Sequence, residues 1–427
     1  MRYENNTCPV CGLACDDIVL EVEGGEVKVS NACWLGKSKY MKYFNAERIL
    51  NPTINDKQTT WIEAIKEVAS LLSEASKPLI FMGTEVSTEA MYEGILLAEH
   101  LQGYVDSCTS VCHGPTIQAL QEKGIPSASL GQVRNRADLV VFWGCNPVES
   151  HPRLMTKHAV HAPGEHIRGR VDRTVVVVDP RRSLTADQAD LHIRVKPNED
   201  YELLTALEMA LCGYPPDEMV AGVPPELINK FAGLLSESEY CAFFVGLGLA
   251  SSRGQGRNME KAMQLIRVLN EQSRAVLLAN RGHCNVAGFN ELCTWITGYP
   301  YAVDFTRGKP RYNPGVSSAV DLLSRGEVDA MFVVGSDPIA HFPHKCARHM
   351  ADISLITVEV SRTPTTELSD VVLPGVYDSI ESGGTFYRMD NVPLHLRPTM
   401  QPPFDFTSST RDTLNQLKEE CFSKNEP

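Results

Sequence analysis

Cys112 and His113 stand side by side just before Gly114-Pro115-Thr116, a tripeptide typical of the first turn of a helix. A thiolate is a soft metal ligand, and a neighbouring imidazole can bind or move a proton beside a substrate. Because a helix amino terminus carries partial positive charge, this position predicts a lowered pKa for the Cys112 thiol. The pair indicates a metal-binding or catalytic loop, although a Cys-His dipeptide alone is more often incidental.

Four more cysteines form a second group near the amino terminus, namely Cys8, Cys11, Cys15 and Cys33. Four thiolates suit either a 4Fe-4S cluster or a structural zinc ion. Zinc ribbons usually pair two tight knuckles, whereas Cys33 stands alone after a hairpin predicted over 18–29, with its turn at Gly24-Gly25. The spacing favours the iron-sulfur cluster and leaves zinc as the alternative.

A third candidate is Arg281, which follows the apolar run 275–279, a predicted buried strand. Residues that bind ligands in α/β proteins lie on loops after the carboxyl ends of such strands. A guanidinium presents a planar fork that suits a small carboxylate such as formate or bicarbonate. For Arg281 taken alone, a structural or surface ion pair is the alternative.

The composition is that of an ordinary globular protein with at least two cores, since 43% of the 427 residues are apolar and 22% are charged. A net charge of -13 argues against nucleic-acid binding. The amino terminus lacks a signal-peptide pattern, and no apolar run approaches the roughly 20 residues that span a bilayer. With 13 cysteines and no export signal, we expect reduced thiols and a cytoplasmic protein without membrane contact.

The elements that position these residues alternate between strand and helix. Residues 61–72 have helical spacing, 78–83 form a short buried-strand pattern, and the alternation continues to about Pro374. Two segments within it repeat one pattern, in which acids, glycines and prolines keep their intervals. Asp138, Gly144, Pro147 and Pro152 are spaced as Asp329, Gly335, Pro338 and Pro343, and Asp179, Thr185 and Asp190 are spaced as Glu359, Thr365 and Asp370.

Each copy predicts a buried parallel strand that ends at a glycine loop, followed by a second strand that ends in an acid. This is the layout of a doubly wound sheet that holds a nucleotide at its carboxyl edge. The duplication predicts two nucleotides, or one dinucleotide-type cofactor used twice, while a duplication kept for packing alone is the alternative. We place the domains at 1–55, at 56–106 with 310–392, at 107–309, and a tail at 393–427.

Together these motifs identify a resemblance that extends from Cys8 to about Val392. Its strongest carriers are the four amino-terminal cysteines and the segments 111–116, 146–152, 179–181, 281–288, 370–374 and 384–386. The chain resembles the B subunits of formylmethanofuran dehydrogenases, which belong to the molybdopterin oxidoreductases together with formate dehydrogenases. The resemblance implies two doubly wound Rossmann-like domains related by an internal repeat, a small amino-terminal iron-sulfur domain, and no carboxyl-terminal β-barrel domain.

The resemblance also implies the cofactors and their ligands. Two molybdopterin guanine dinucleotides would hold one tungsten or molybdenum atom, with Cys112 as its protein ligand and with His113 and Arg281 beside the substrate. Positions matching one dinucleotide site are Asn146, Glu149, His151, Asp179, Arg181 and Asp200, and those for the other are Gly335, Asp337, Pro338, Glu359 and Asp370. The cluster at Cys8, Cys11, Cys15 and Cys33 would be 4Fe-4S.

The implied reaction is reduction of carbon dioxide to formate, which a partner subunit then condenses with methanofuran. The implied partners are an amidohydrolase-like subunit, a dinucleotide-binding barrel subunit and ferredoxin-type subunits. Formate dehydrogenases carry a lysine where Leu35 stands, so only Lys37 or Lys39 could take its place. The alternatives are an independent formate dehydrogenase-like oxidoreductase and a non-catalytic electron-transfer subunit.

Overall fold

The computed structural model describes residues 1–23, 26–45 and 48–424, so the predicted hairpin turn at Gly24-Gly25 lies outside the described residues. The strands are β1 (Arg2–Asn6), β2 (Ile18–Glu23), β3 (Glu26–Ser30), β4 (Thr53–Ile54), β5 (Lys57–Gln58), β6 (Pro78–Met82), β7 (Tyr104–Ser107), β8 (Leu139–Trp143), β9 (Thr174–Val178), β10 (Leu191–Ile193), β11 (Tyr240–Val245), β12 (Arg274–Ala279), β13 (Val303–Asp304), β14 (Arg311–Tyr312), β15 (Ala330–Val334), β16 (Ser354–Glu359), β17 (Val371–Pro374), β18 (Gly384–Tyr387) and β19 (Pro393–Leu396).

The α-helices are α1 (Trp34–Asn45), α2 (Trp61–Glu74), α3 (Thr88–His100), α4 (Gly114–Lys123), α5 (Leu130–Arg136), α6 (Pro147–Ser150), α7 (Asp200–Leu211), α8 (Pro225–Glu237), α9 (Leu247–Ala250), α10 (Gly256–Leu269), α11 (Val286–Thr297), α12 (Pro314–Ser317), α13 (Ala319–Arg325), α14 (Pro338–His341), α15 (His344–Met350), α16 (Pro364–Glu367) and α17 (Thr410–Lys424). Short 3-10 turns lie at Cys108–Val111, Arg170–Asp172 and Ala186–Gln188, and a π-helical segment at Leu154–Ala159.

The smaller of the two large sheets has the strand order β10-β9-β8-β11-β12, and every neighbouring pair is parallel. Its central strand β8 is buried along its whole length. A parallel sheet is covered by helices on both faces, so its strands are apolar throughout instead of alternating. This is why the run 139–143 is continuously apolar.

The larger sheet has the order β14-β13-β7-β6-β15-β16-β17-β4-β5 within the described part of the chain. Its five middle strands are parallel, and the flanking strands β13 and β4 join antiparallel. The order β17-β16-β15-β6-β7 is the same as β10-β9-β8-β11-β12 in the smaller sheet. The repeated motif therefore lies on equivalent strands of two alike sheets, and the predicted α/β fold is confirmed.

Repeated aspartates hold neighbouring strands in place at the amino edge of each sheet. Asp138 accepts hydrogen bonds from the backbone N–H groups of residues 239 and 240, all at 2.8 Å. Asp329 accepts them from residues 76 and 77, again at 2.8 Å. Because a carboxylate satisfies two backbone donors at the start of a buried strand, the same residue recurs at both places.

Helix α2 shows how the sequence sets an element. Thr60 accepts from the backbone N–H of Glu63, whose side chain accepts in return from the N–H of Thr60, a capping box. Its buried side chains, Ala64, Ile65, Val68, Ala69 and Leu72, lie on one face, which confirms the predicted helix.

Among the described residues, none of the helices has the length and apolarity to cross a membrane.

Two domain limits differ from the predicted ones. Strand β13 pairs with β7 of the larger sheet, and Phe289 and Cys293 of α11 pack in the core of that sheet. The segment 286–309 therefore joins the larger sheet rather than the smaller. In the predicted tail, β19 pairs with β18, and Leu414, Leu417 and Cys421 of α17 are buried in the same core. Their spacing places three apolar side chains on one helix face, which binds α17 to the domain.

Candidate active site

The loops that carry Cys112 and Arg281 meet at the carboxyl edges of the two sheets. Cys112 follows β7 and the turn at Cys108–Val111, while Arg281 follows β12, the equivalent outer strand of the other sheet. The charge of Arg281 acts on the Cys112 thiol, and the backbone N–H of Gly282 faces its sulfur. The pairing of two alike sheets thus brings together a thiol and a guanidinium that are far apart in the sequence.

The pKa of the Cys112 thiol is raised, so the predicted lowering is wrong. Burial disfavours the thiolate and outweighs the charge of Arg281 and the N–H of Gly282, which both favour it. Helix α4 does begin at Gly114, as the sequence predicts. A thiol that coordinates a metal ion is deprotonated outright, so burial is compatible with a ligand role.

His113 is a buried, neutral imidazole. It is 1% exposed, and its Nδ1 lies 3.1 Å from Thr116 Oγ1. Burial, reinforced by the charge of Arg281, lowers its pKa to about 3. Nε2 has no hydrogen-bond partner of good geometry among the described residues, although the carbonyl group of Asn280 lies near the ring. A buried ring nitrogen in this state is available to a ligand.

Arg281 is 8% exposed, and burial lowers its pKa. Its Nη1 donates to Asn290 Oδ1 at 2.9 Å, and its Nε has no partner among the described residues. Among those residues, no carboxylate forms an ion pair with Arg281. The charge of Glu291 acts on the guanidinium only from beyond ion-pair distance. A buried cation that lacks a contacting counter-ion is costly, so a bound anion fits this position.

His151 supports Arg281 from behind. It is 1% exposed, and its Nε2 lies 2.7 Å from the carbonyl oxygen of Arg281. Because a carbonyl only accepts, Nε2 carries the proton, and Nδ1 accepts from Ser150 Oγ at 2.8 Å. The structure therefore places His151 beneath the Arg281 loop, where it holds the backbone, and His151 lines neither of the cavities at the two sheet edges.

A cavity of about 500 Å³ opens at the carboxyl edge of the smaller sheet. The predicted residues that line it are Asn146, Asp179, Arg181 and Asp200. Gly144 also lines it with a φ of 60°, and a Cβ there would lie 2.5 Å from a backbone nitrogen, so only glycine fits. Arg181 is exposed, and no described residue pairs with its side chain. Acids beside a free guanidinium and a glycine loop suit a nucleotide.

A second cavity, of about 200 Å³, lies at the carboxyl edge of the larger sheet. Gly335 and Glu359 line it together with Lys39 and Glu85, which form an ion pair. Burial raises the pKa of Glu359 to about 7, because the N–H of residue 360 and the charge of Lys39 offset only part of the desolvation. Lys39 lines this cavity, whereas Lys37, the other lysine that could replace the one missing at Leu35, is exposed.

Asn146 and Asp337 make the same contacts in the two halves. The Oδ1 atom of Asn146 accepts from the N and Oγ1 of Thr185 at 3.2 and 2.6 Å, and that of Asp337 from Thr365 at 3.0 and 2.6 Å. Both side chains therefore brace the glycine loops. Glu149 is exposed and accepts from Asn146 Nδ2, and the residue after Asp337 is a buried proline, Pro338, which starts α14.

Asp370 lies at the opposite edge of the larger sheet. Its Oδ2 accepts from the backbone N–H of Leu355 at 2.9 Å, at the start of β16. Asp190 makes the equivalent bond to Val175 at 2.7 Å in the other sheet. The structure does not bring Asp370 to a cavity, because its carboxylate satisfies a backbone donor at the amino edge.

The amino-terminal cysteines lie against the Arg281 loop. Gly12 donates its N–H to the carbonyl oxygen of Gly282 at 3.3 Å, and Cys11 and His283 form a β-bridge. Cys8, Cys11 and Cys15 are buried and Cys33 is half-buried. Burial and the neighbouring thiols raise the pKa of Cys8, and Cys11 reaches about 12. The four thiols thus lie near enough to act on one another electrostatically, although the described residues contain no group of three or more ligands set for a single metal ion.

Three contributors to this site were missed from the sequence. Asn290 bonds Arg281, Thr109 bonds Asn290, and Glu85 pairs with Lys39. One signal was available for the first of these, since Asn290 interrupts the apolar face of α11. A polar side chain at a buried helical position needs partners and commonly serves a site.

The molybdopterin oxidoreductase family matches residues 48–409. The chain is 43% identical over 408 residues to the B subunit of the tungsten-containing formylmethanofuran dehydrogenase 2 of Methanocaldococcus jannaschii, covering 93% of this chain and 94% of that one. It is 42% identical over 410 residues to the same subunit of Methanococcus maripaludis, covering 94% of each.

Among solved structures, the crystal structure of the formyltransferase/hydrolase complex of Methylorubrum extorquens with methylofuran contains a chain of similar fold. The TM-score is 0.72 at 17% identity, with 87% of this chain and 99% of that chain covered. The chain therefore belongs to the molybdopterin oxidoreductases, a family of redox enzymes. Within it, the chain belongs with the B subunits of tungsten-containing formylmethanofuran dehydrogenases, which confirms the resemblance seen in the sequence.

Proposed function

We propose that this chain is the catalytic subunit of a formylmethanofuran dehydrogenase and reduces carbon dioxide to formate, which a partner subunit condenses with methanofuran. The observation that carries the proposal is that Arg281 acts on both Cys112 and His113 at the carboxyl edges of two alike sheets, each of which also carries a cavity. Formate is a small anion, and Arg281 is a buried cation that no carboxylate of the described residues contacts in an ion pair, although the charge of Glu291 acts on it from farther away.

Two molybdopterin guanine dinucleotides are the proposed occupants of the two cavities, and the residues present fit them. Gly144 and Gly335 have φ values of 60° and 61°, so each loop lets a ligand approach the backbone closely. On the smaller sheet, Asp179 and Asp200 can accept hydrogen bonds from guanine, and Arg181 can bind phosphate. On the larger sheet, Glu359 stands at the position equivalent to Asp179.

One tungsten or molybdenum atom completes the proposed centre, with Cys112 as its protein ligand. Bound there, the metal would supply two-electron redox chemistry. The chain contributes the rest. Arg281 binds the substrate oxygens and stabilises the negative charge that develops on them, because a preorganised cation in a dry site interacts strongly. His113, being neutral, orients the substrate or holds a proton at Nε2.

Cys8, Cys11, Cys15 and Cys33 are the proposed ligands of a 4Fe-4S cluster that delivers single electrons. Contact of this loop with the Arg281 loop at Gly12 and Cys11 supports the assignment, since electrons then cross a short distance. Structural zinc is the alternative occupant. Lys39 is the proposed link between this cluster and the cofactor of the larger sheet, because it reaches that cavity from α1, the helix that follows Cys33.

The proposed setting is a cytoplasmic complex. Its other members would be an amidohydrolase-like subunit that uses the formate, a barrel subunit that completes the dinucleotide sites, and ferredoxin-type subunits that supply electrons.

A non-catalytic electron-transfer subunit is the second candidate. An electron-transfer subunit does not need a thiol, an imidazole nitrogen without a partner and a guanidinium without an ion pair in one site. The catalytic proposal therefore accounts for more of the observed residues. The third candidate, an independent formate dehydrogenase-like enzyme, predicts formate oxidation without any partner.

The deciding measurement is the metal content of the complex purified anaerobically from its native host. We expect about one tungsten or molybdenum atom per copy of this chain, together with iron, and its loss in Cys112→Ala. Cys241→Ala is the matched control, because Cys241 is also a buried thiol but lies within β11. Iron or zinc without either heavy metal would establish the electron-transfer alternative instead.

A further inference from the structure

Asn290 connects the Arg281 loop to the turn that precedes Cys112. It is 5% exposed and lies in α11 among buried apolar residues that include Val286, Phe289 and Cys293. An amide in such a position is costly unless each of its polar atoms is bonded. The burial of Asn290 therefore indicates that its side-chain amide has specific hydrogen-bond partners.

All of the hydrogen-bonding groups of the Asn290 side chain are used. Its Oδ1 accepts from Arg281 Nη1 at 2.9 Å, and its Nδ2 donates to Thr109 Oγ1 at 2.9 Å and to the carbonyl oxygen of Pro300 at 3.0 Å. Because the Pro300 carbonyl only accepts, the amide nitrogen must face it, and the oxygen must face Arg281. The orientation of the amide is therefore fixed.

The chain of contacts continues to the metal-ligand candidate. The carbonyl oxygen of Thr109 accepts from the backbone N–H of Cys112 at 3.1 Å. One side chain thus holds the guanidinium on the smaller sheet against the turn on the larger sheet. No other side chain among the described residues hydrogen-bonds the Arg281 guanidinium, and its Nε is unpartnered.

We propose that Asn290 is a positioning residue that aims Arg281 at the substrate anion and fixes its distance from Cys112, an inference that rests on the proposed function. The choice of amide follows from charge. A carboxylate at position 290 would pair with Arg281, neutralise the cation that attracts the anion, and lose both donated hydrogen bonds. The neutral amide orients the guanidinium and leaves its charge available.

The test compares Asn290→Asp with wild-type complex in formate oxidation with an artificial electron acceptor and in calorimetric titration with azide, an anion isoelectronic with carbon dioxide. We expect the KM for formate and the Kd for azide to rise about tenfold or more, because the new carboxylate competes with the anion for the guanidinium, at a cost comparable to one charge-assisted hydrogen bond. Tungsten or molybdenum content should stay at the wild-type level. Asn290→Ser, which adds no charge, should raise both constants less.

Asn270→Asp is the matched control. Asn270 donates to the carbonyl oxygens of Ile266 and Ala275 at 2.8 Å each and accepts from the N–H of Ala275 at 3.1 Å, at the amino end of β12 and away from Arg281. Thr109→Val keeps the bond between Asn290 and Arg281 but removes the link toward Cys112, so it should lower kcat more than it raises KM.

Unchanged KM and azide Kd in both Asn290 variants, with activity lost only in proportion to metal, would overturn the positioning role. Equal changes of both constants in Asn270→Asp would overturn it as well. If the complex with Asn290→Asp does not assemble, the KM and Kd of the Asn290→Ser complex are compared with those of wild type instead. Failure of the metal-loaded wild-type complex to oxidise formate or bind azide would instead overturn the proposed function.

Discussion

The Nε2 atom of His151 and the carbonyl oxygen of Arg281 are 2.7 Å apart, so a buried imidazole fixes the backbone of the residue proposed to bind the substrate. With Asn290 bonded to the guanidinium, Arg281 is held at both its backbone and its side chain. Loops that carry functional groups need such support, since a small displacement of a charged group weakens its action on the substrate.

The first prediction concerns that contact. His151→Phe removes the donor to the Arg281 carbonyl, whereas glutamine can supply an N–H at a similar position. We expect the KM for formate to rise about tenfold in His151→Phe, corresponding to one buried hydrogen bond, and less in His151→Gln. Steady-state kinetics of the complex measure both. Equal KM values in the two variants would mean that the backbone of Arg281 keeps its position without the hydrogen bond from His151.

The second prediction concerns acid. Burial lowers the pKa of His151 to about 4, below its ordinary value of 6.5, and His113 and His283 are the ionisable imidazoles that face it. As pH falls, the unfolded chain binds the proton first, so the stability supplied by neutral His151 is complete above about pH 6.5 and is lost toward pH 4. The full loss is about 3 kcal/mol. Thermal unfolding of the complex between pH 7 and pH 5 should be less acid-sensitive in His151→Gln than in wild type.

The third prediction concerns the buried ion pair of Arg48 and Glu381, whose side chains are 9% and 0% exposed. Glu381 also accepts from Tyr43 Oη at 3.0 Å and from the N–H of Tyr377 at 2.8 Å. Arg48→Met leaves this carboxylate buried without its cation, so we expect a loss of about 3–5 kcal/mol. The double variant Arg48→Met with Glu381→Gln should recover part of it. If the double variant melts at a temperature as low as that of Arg48→Met alone, this account is contradicted.

The fourth prediction compares the two glycine loops. A Cβ at Gly144 would lie 2.5 Å from a backbone nitrogen, but at Gly335 the nearest atom is a Val86 methyl group at 2.8 Å, which can move. Gly144→Ala should therefore destabilise the protein more than Gly335→Ala, although both positions have positive φ and each should lose about 1 kcal/mol or more. Gly213→Ala, with a φ of 89° and open space around it, isolates the backbone effect. Thermal unfolding of the three variants gives the order.

The fifth prediction concerns Lys39, which pairs with Glu85 and acts on Glu359. Lys39→Ala should slow reduction of the iron-sulfur cluster by formate roughly tenfold, the effect of losing one charge-assisted hydrogen bond. Rapid-freeze paramagnetic resonance follows the reduced cluster directly. Lys37→Ala, on the exposed side of the same helix, should match wild type. A rate equal to that control would remove Lys39 from the electron path.

Much of the site could be inferred from sequence because it lies in short motifs. The Cys112-His113 pair before α4, the strand before Arg281 and the four cysteines are local patterns whose chemistry follows from residue type. The predicted lowering of the Cys112 pKa is wrong, because burial depends on the tertiary structure around the thiol. Asp370 bonds the backbone of a neighbouring strand at the amino edge, which no local pattern indicates, and its part in a cofactor site stays a prediction.

The sequence by itself determined the alternation of strands and helices and the duplicated glycine loops, because hydrophobic periodicity and turn residues act locally. It also contained enough identity with relatives to define the family. Only the tertiary structure decided that β7 and β12 occupy equivalent positions, that Cys112 and Arg281 therefore meet, and that Asn290 joins them. Such contacts depend on how two sheets pack against each other, and no interval along the chain encodes that packing directly.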